Sequence, residues 1–306
     1  MRRIVGIVLF ALGVVLIALG VLKILPGAAQ AGGFSAFIGL VVFGLSFIRQ
    51  AAPPADAPAP MPPFERVTRI FYEPRPVFEN LHFHPRWLAA FLVIAIFAVI
   101  YHVAFVQRIG PEVIALAPIE KTIESGWIPP ESAEQIKEQT REQARSWVTR
   151  VTGPLSEVGG IFLFMCVVAA LLLLLAMIFG GRLTYWQALC VAMYSSMPPI
   201  VIDKVVSLIL LYIKAPEDIE VIRGQRGLVR ADLGILFSPS EHPYLYTIGS
   251  MIGLLTIYGL WLQATGLRHG GQKLSSMSAW TISLIIWGIG LVLALVAAAL
   301  FPAFVT

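Results

Sequence analysis

The sequence predicts an all-helical, multi-pass membrane protein, and three observations carry that reading. Hydrophobic residues make up 58% of the 306 residues and charged residues only 13%, against about 45–50% and about 25% in soluble domains. The mean hydropathy is +0.81. Apolar runs near the roughly 20 residues that a helix needs to cross a hydrocarbon core recur along the chain. This composition excludes an ordinary soluble enzyme and a globally disordered chain. A net charge of +4, spread along the sequence, gives no footing for nucleic-acid binding. The two cysteines, Cys166 and Cys190, both sit in apolar runs, which argues against a disulfide framework or a cysteine zinc site.

About seven spans are expected: 4–22, 33–48, 87–106, 158–180, 186–213, 244–267 and 278–305. The run 33–48 is the shortest. In the first span Gly6, Gly13 and Gly20 recur every seventh residue, which lays a smooth groove along one helix face. Arg2 and Arg3 before an apolar run, then Ala29-Gln30-Ala31, are similar to a cleavable signal peptide. The run 4–22 exceeds the roughly 7–15 apolar residues of such a signal, so a retained helix is expected.

Residues 1–49 thus form a transmembrane hairpin. Residues 50–63, QAAPPADAPAPMPP, are a Pro/Ala-rich linker of extended, semi-rigid character. Residues 64–306 hold five spans and two outer loops, 107–157 and 214–243. Lys and Arg in short loops set orientation. Arg2, Arg3, Arg49, Arg66, Arg69, Arg75, Arg86, Arg182, Arg268 and Lys273 fall on one side, while the short pieces opposite carry only Lys23. The N-terminus is therefore expected inside and the C-terminus outside.

In segment 64–83, Phe71, Tyr72, Val77, Phe78 and Leu81 alternate with Arg66, Arg69, Arg75 and Glu79, which suits a segment lying at the membrane interface; the alternative is a plain connecting loop. In the first outer loop, 131–151 reads as a solvated spacer helix, with Glu134–Lys137, Glu138–Arg141 and Glu142–Arg145 as opposite charges three apart. The second outer loop, with Gly224 and Gly227 among alternating charges, reads as irregular and carries no phosphate-loop signature.

No His-Glu-x-x-His, Walker loop or Gly-x-Ser-x-Gly is present. His82 and His84 are two apart, whereas a helical metal pair wants four, so no metal or other cofactor is expected. His102 falls near the outer end of its span. Asp203 and Lys204 are charges in an apolar helix and stand out as functional candidates. Adjacent helix residues do not face each other, so no private ion pair between them is expected. Ser195, Ser196, Pro198 and Pro199 lie mid-span. A proline there removes a backbone hydrogen bond and bends the helix, and serine hydroxyls can re-satisfy the freed carbonyls.

An order of motifs runs through the second half of the chain. Pro74 and Phe78 form Pro-x-x-x-Phe, Pro85 precedes the span at 87, and Tyr194, Ser195 and Pro198 form Tyr-Ser-x-x-Pro. Gly266-Leu267 and a polar turn through Ser275 and Ser276 join the last two spans. This order resembles the Yip-one domain family, the Ypt/Rab-interacting membrane proteins, over about 64–306. The resemblance implies five transmembrane helices preceded by a cytoplasmic segment. Eukaryotic members are associated with Rab GTPases and vesicle traffic. Here Phe83-His84-Pro85-Arg86-Trp87 stands in place of their Asp-Leu-Trp-Gly-Pro tract, which suits a bacterial-type member of an inner membrane.

The expected function is a non-enzymatic scaffold or adaptor. Its partners would be the lipid bilayer and another membrane or membrane-associated protein, met through Phe71, Tyr72, Pro74, Arg75, Phe78 and Trp87. The alternative is a permease or lipid-handling protein, with Tyr194, Ser195, Pro198, Pro199 and Asp203 lining a path. Against an intramembrane enzyme, no base or oxyanion group accompanies Ser195. Small-residue faces at Gly6, Gly13 and Gly20 and at Ala294, Ala297 and Ala298 permit a homo-oligomer.

Overall fold

The computed structural model describes residues 2–22, 24–25, 28–48, 52–239 and 241–301. Among these the fold is all-helical: α1 (Arg2–Val21), α2 (Ala28–Leu45), α3 (Pro63–Arg69), α4 (Pro74–Phe83), α5 (Leu88–Ile109), α6 (Pro111–Glu124), α7 (Pro130–Arg145), α8 (Trp147–Ile178), α9 (Tyr185–Ile213), α10 (Val221–Gly224), α11 (Pro243–Ser250), α12 (Leu254–Gly270) and α13 (Ser276–Leu300). Several start on proline, whose fixed φ suits the first helical position and whose missing N–H is no loss there. α13 is capped by Ser275, whose hydroxyl accepts the Ser278 N–H at 3.0 Å.

Five helices, within α1, α5, α8, α9 and α13, are long and apolar enough to cross a membrane. The expected run 33–48 falls in α2, which is 18 residues long, and the other expected span is broken. The run 244–267 is divided into α11 and α12 around Gly253, which is extended (φ −138°, ψ 166°) and bridges to Asp232. The Leu254 N–H donates to the Ala231 carbonyl at 3.2 Å, and that of Leu233 to the Ile252 carbonyl at 3.0 Å. The loop thus satisfies the backbone that the break frees, the condition for irregular backbone at membrane depth. Gly249 allows this approach, since a Cβ there would lie 2.8 Å from the Gly234 nitrogen. The end of the last expected span, after 301, lies outside the described residues, as do Lys23, Arg49 and the 49/50 boundary.

The chain divides into two compact units. The first comprises residues 1–50, 98–163 and 214–226. Its α1–α2 hairpin is a close glycine-lined pair. A Cβ on Gly13 would lie 2.4 Å from the Ala36 nitrogen, and one on Gly6 2.7 Å from the Phe43 nitrogen. The groove expected along α1 is therefore filled by α2, and Ser35 adds a hydrogen bond to the Leu9 carbonyl at 3.1 Å. Gly159 of α8 receives Phe34 and Ile38 of α2. The Tyr101 hydroxyl donates to the Gly224 carbonyl.

The loop 107–157 is more helical than expected. α7 makes Glu134–Lys137 at 3.2 Å and Glu138–Arg141 at 2.9 Å. Arg145 pairs with Glu112 at 2.7 Å rather than with Glu142. The helix expected to run to 151 ends at Arg145, because Ser146 is extended (ψ 133°). α8 begins at Trp147, well before the expected start at 158.

The second unit comprises residues 51–97, 164–213 and 227–306. It packs α4 and α9 against α12, and α12 against α13. The linker is not wholly a free spacer. The Met61 N–H donates to Asn80 Oδ1 at 3.0 Å, Asn80 Nδ2 donates to the Ala59 carbonyl at 2.9 Å, and a His84 ring nitrogen lies 2.7 Å from the Pro58 carbonyl. Its second half is strapped onto α4.

Candidate functional site

Segment 63–83 folds as two short helices, not as a loop. Their inner face is apolar: Ile70, Val77, Phe78 and Leu81 are fully enclosed. Phe78 fills a notch on α12 and α9, where a Cβ on Gly266 would lie 2.9 Å from the Phe78 ring and 2.9 Å from Val191 Cγ1. The Tyr258 hydroxyl donates to the Phe71 carbonyl at 2.9 Å. The pair is therefore a platform fixed to the helix bundle.

The six expected contact residues separate on this platform. Tyr72 is 66% exposed, and Arg75 also faces outward, held by Glu79 at 2.8 Å. Phe71 and Trp87 are half-buried, and Pro74 and Phe78 are buried. Phe78 and Pro74 thus turn into the fold, whereas Tyr72 and Arg75 turn out of it. An alternation of aromatic and basic residues marks an amphipathic segment without saying which aromatic points inward. Phe64, 80% exposed at the start of α3, joins the outward set.

Beneath the platform, His82 ties three elements together. Its Nδ1 lies 3.0 Å from the Gly270 carbonyl. Gln187 Nε2 donates to the His82 carbonyl at 2.8 Å, and Gln272 Nε2 lies 3.2 Å from His82 Nε2. With the Nδ1 proton given to the carbonyl, Nε2 accepts from the Gln272 amide. Gln187 and Gln272 carry no sequence signal for this role, which arises only when α4, α9 and the end of α12 meet.

Arg66 is the other residue that sequence reading leaves unexplained. It is 1% exposed. One Nη donates to the Arg86 carbonyl at a long 3.4 Å, and among the described residues Nε has no hydrogen-bond partner. The Tyr194 hydroxyl donates to the same carbonyl at 3.3 Å.

The residues proposed to line a path lie along α9, which remains helical from Tyr185 to Ile213 through Pro198 and Pro199. Tyr194 and Ser195 are buried, and the Ser195 hydroxyl donates to its own helix at the Ala192 carbonyl, 3.3 Å away. Pro199 faces Gly259 of α12. Asp203, nine residues beyond Tyr194, is about 14 Å further along the axis at 1.5 Å per residue. Its carboxylate lies against Gly227, which has φ +154° and no room for a Cβ. Lys204 Nζ is 3.9 Å from Asp203 Oδ2, a long contact that the adjacent-residue argument did not anticipate.

His102 pairs through Nδ1 with Glu157 Oε2 at 2.8 Å. Among the described residues no cluster of three or more His, Cys, Asp or Glu could hold a metal ion.

The Yip1 domain matches residues 68–298. The match begins at the end of α3 and ends inside α13, so it takes in α4 and leaves most of α3, with Phe64 and Arg66, and the α1–α2 hairpin outside. No curated protein and no solved structure matches the chain. A match over most of the sequence, joined to helices long and apolar enough to cross a bilayer, places this chain in the Yip1 domain family as an integral, multi-pass membrane protein.

Proposed function

We propose that the protein is a non-enzymatic membrane adaptor that docks another membrane or membrane-associated protein on the α3–α4 platform. One observation carries this reading: Phe78 and its apolar neighbours fix the platform to the bundle, while Phe64, Tyr72 and Arg75 are turned outward. Exposed aromatic and Arg side chains on a rigid base are the residue types enriched at binding hot spots. Rigidity also lowers the ordering cost of association. The charge bias of the short loops supports a cytoplasmic position for this face, and a bacterial inner membrane remains the location that the family resemblance suits best.

The test is purification of the full chain from native membranes in mild detergent, as wild type and as a Tyr72→Ala, Arg75→Glu variant. The reading expects a stoichiometric protein retained by the wild type and lost from the variant, with both chains equally stable. A protein retained equally by both would remove the platform as its docking site.

A further inference from the structure

Arg66 presents a buried positive charge without a counterion. Its guanidinium is enclosed, and among the described residues no carboxylate lies within salt-bridge distance. The nearby acids on its own segment are taken: Glu65 binds Arg69 at 2.9 Å, and Glu73 binds the same arginine. The contact to the Arg86 carbonyl is long, and Nε donates to nothing among the described residues. An unpaired buried charge is strongly unfavourable, so its persistence calls for an anion from outside the chain.

The surroundings indicate what kind of anion. α5, a helix of membrane-crossing length, starts at Leu88, two residues after the carbonyl that Arg66 touches. No acidic residue occupies its first turn, so its positive end is uncompensated by side chains there. Arg86, exposed, adds a second cation at the same level. Exposed Phe64 and half-buried Trp87 are aromatic residues of the kind that settle at the bilayer interface. Arginine's planar fork matches the oxygens of a phosphate.

We propose that Arg66 anchors a binding site for a phosphate group at the membrane interface, with the exposed Arg86 as its outer member. The chemistry is shared by the headgroup of an anionic phospholipid and by free phosphate. Because Arg66 is enclosed, occupation requires the irregular segment 84–87 to give way; that segment carries the carbonyl now held by Arg66 and Tyr194.

The experiment uses the full chain in nanodiscs of phosphatidylcholine, with or without phosphatidylglycerol, and with or without millimolar inorganic phosphate. Thermal melting and native mass spectrometry are read for wild type, Arg66→Met and Arg66→Lys. In pure phosphatidylcholine, whose phosphate is neutralised by its own choline, Arg66→Met is expected to melt at or above wild type, because it removes an unpaired charge without removing bulk. Phosphatidylglycerol should raise the melting temperature of wild type and remain bound to it, with retention about tenfold lower in Arg66→Met. Arg66→Lys, which keeps the charge without the fork, should fall between. If inorganic phosphate alone stabilises wild type and not Arg66→Met, the site stands and its source is soluble. Equal responses of all three chains to both anions would overturn the site. If Arg66→Met does not fold, wild type against Arg66→Lys decides: indistinguishable responses overturn the site as well.

Discussion

Phe78 of α4 and Gly266 of α12 form a ring-into-notch contact: a Cβ on Gly266 would come within 2.9 Å of the Phe78 ring. The same Cβ would lie 2.9 Å from Val191 of α9, so three helices close on one missing methyl group. Gly266→Ala is therefore expected to destabilise the domain by about 1–3 kcal/mol, the usual cost of overpacking. Thermal melting in detergent measures it. An unchanged melting temperature would mean that the platform is not seated in this notch.

Truncation should separate the two faces of the platform. Phe78→Ala removes an enclosed aromatic ring and is expected to cost about 3–5 kcal/mol. Tyr72→Ala removes an exposed ring and should lie within about 0.5 kcal/mol of wild type. Comparable losses in both would contradict the assignment of inner and outer faces.

The hairpin rests on backbone approach. Gly13→Leu places a side chain where the Ala36 nitrogen stands 2.4 Å from the first added carbon. The expected outcome is separation of α1 and α2, read as loss of disulfide formation between cysteines introduced at Leu9 and Ser35, whose side chain and backbone are hydrogen-bonded in the native pair. The second unit, residues 51–97, 164–213 and 227–306, shares no residue with this hairpin and should keep its melting behaviour.

In the loop 107–157, Arg145 holds the Glu112 carboxyl below its ordinary value of 4.5 through the hydrogen bond and charge between them. The folded chain binds fewer protons here than the unfolded one. The contribution is therefore present above about pH 4.5 and lost as the pH falls through the lowered value. Protection factors of the amides in α6 and α7, with the intrinsic pH dependence of exchange removed, are expected to fall on acidification below that point. Glu112→Gln should show the lower protection already at neutral pH. Arg145 is exposed and Glu112 partly so, and the change is therefore small.

What was legible in the sequence is what composition and local spacing encode. Apolar length announces α1, α5, α8, α9 and α13, and the seven-residue glycine spacing announces a close helix contact along α1. The pairs Glu134–Lys137 and Glu138–Arg141 form because both partners lie on one helix. Non-local partners are what spacing misses. Arg145 finds Glu112, 33 residues away, once α6 and α7 pack. The break before Leu254 depends on backbone bonds to residues 231–233, which hydropathy does not register. The inward turn of Phe78 depends on a notch made by Gly266 and Val191, far along the chain. Arg66 looked like one more interfacial cation, and only its enclosure distinguishes it from Arg69 and Arg75.

Site-specific photo-crosslinking in native membranes tests the adaptor account most directly. A photoreactive phenylalanine analogue replaces Tyr72 in one full-length chain and Phe78 in another. The account predicts a discrete adduct to a second protein from position 72 and none from position 78, whose ring is enclosed by the chain itself. No adduct from position 72, with the chain folded and in the membrane, would contradict the account.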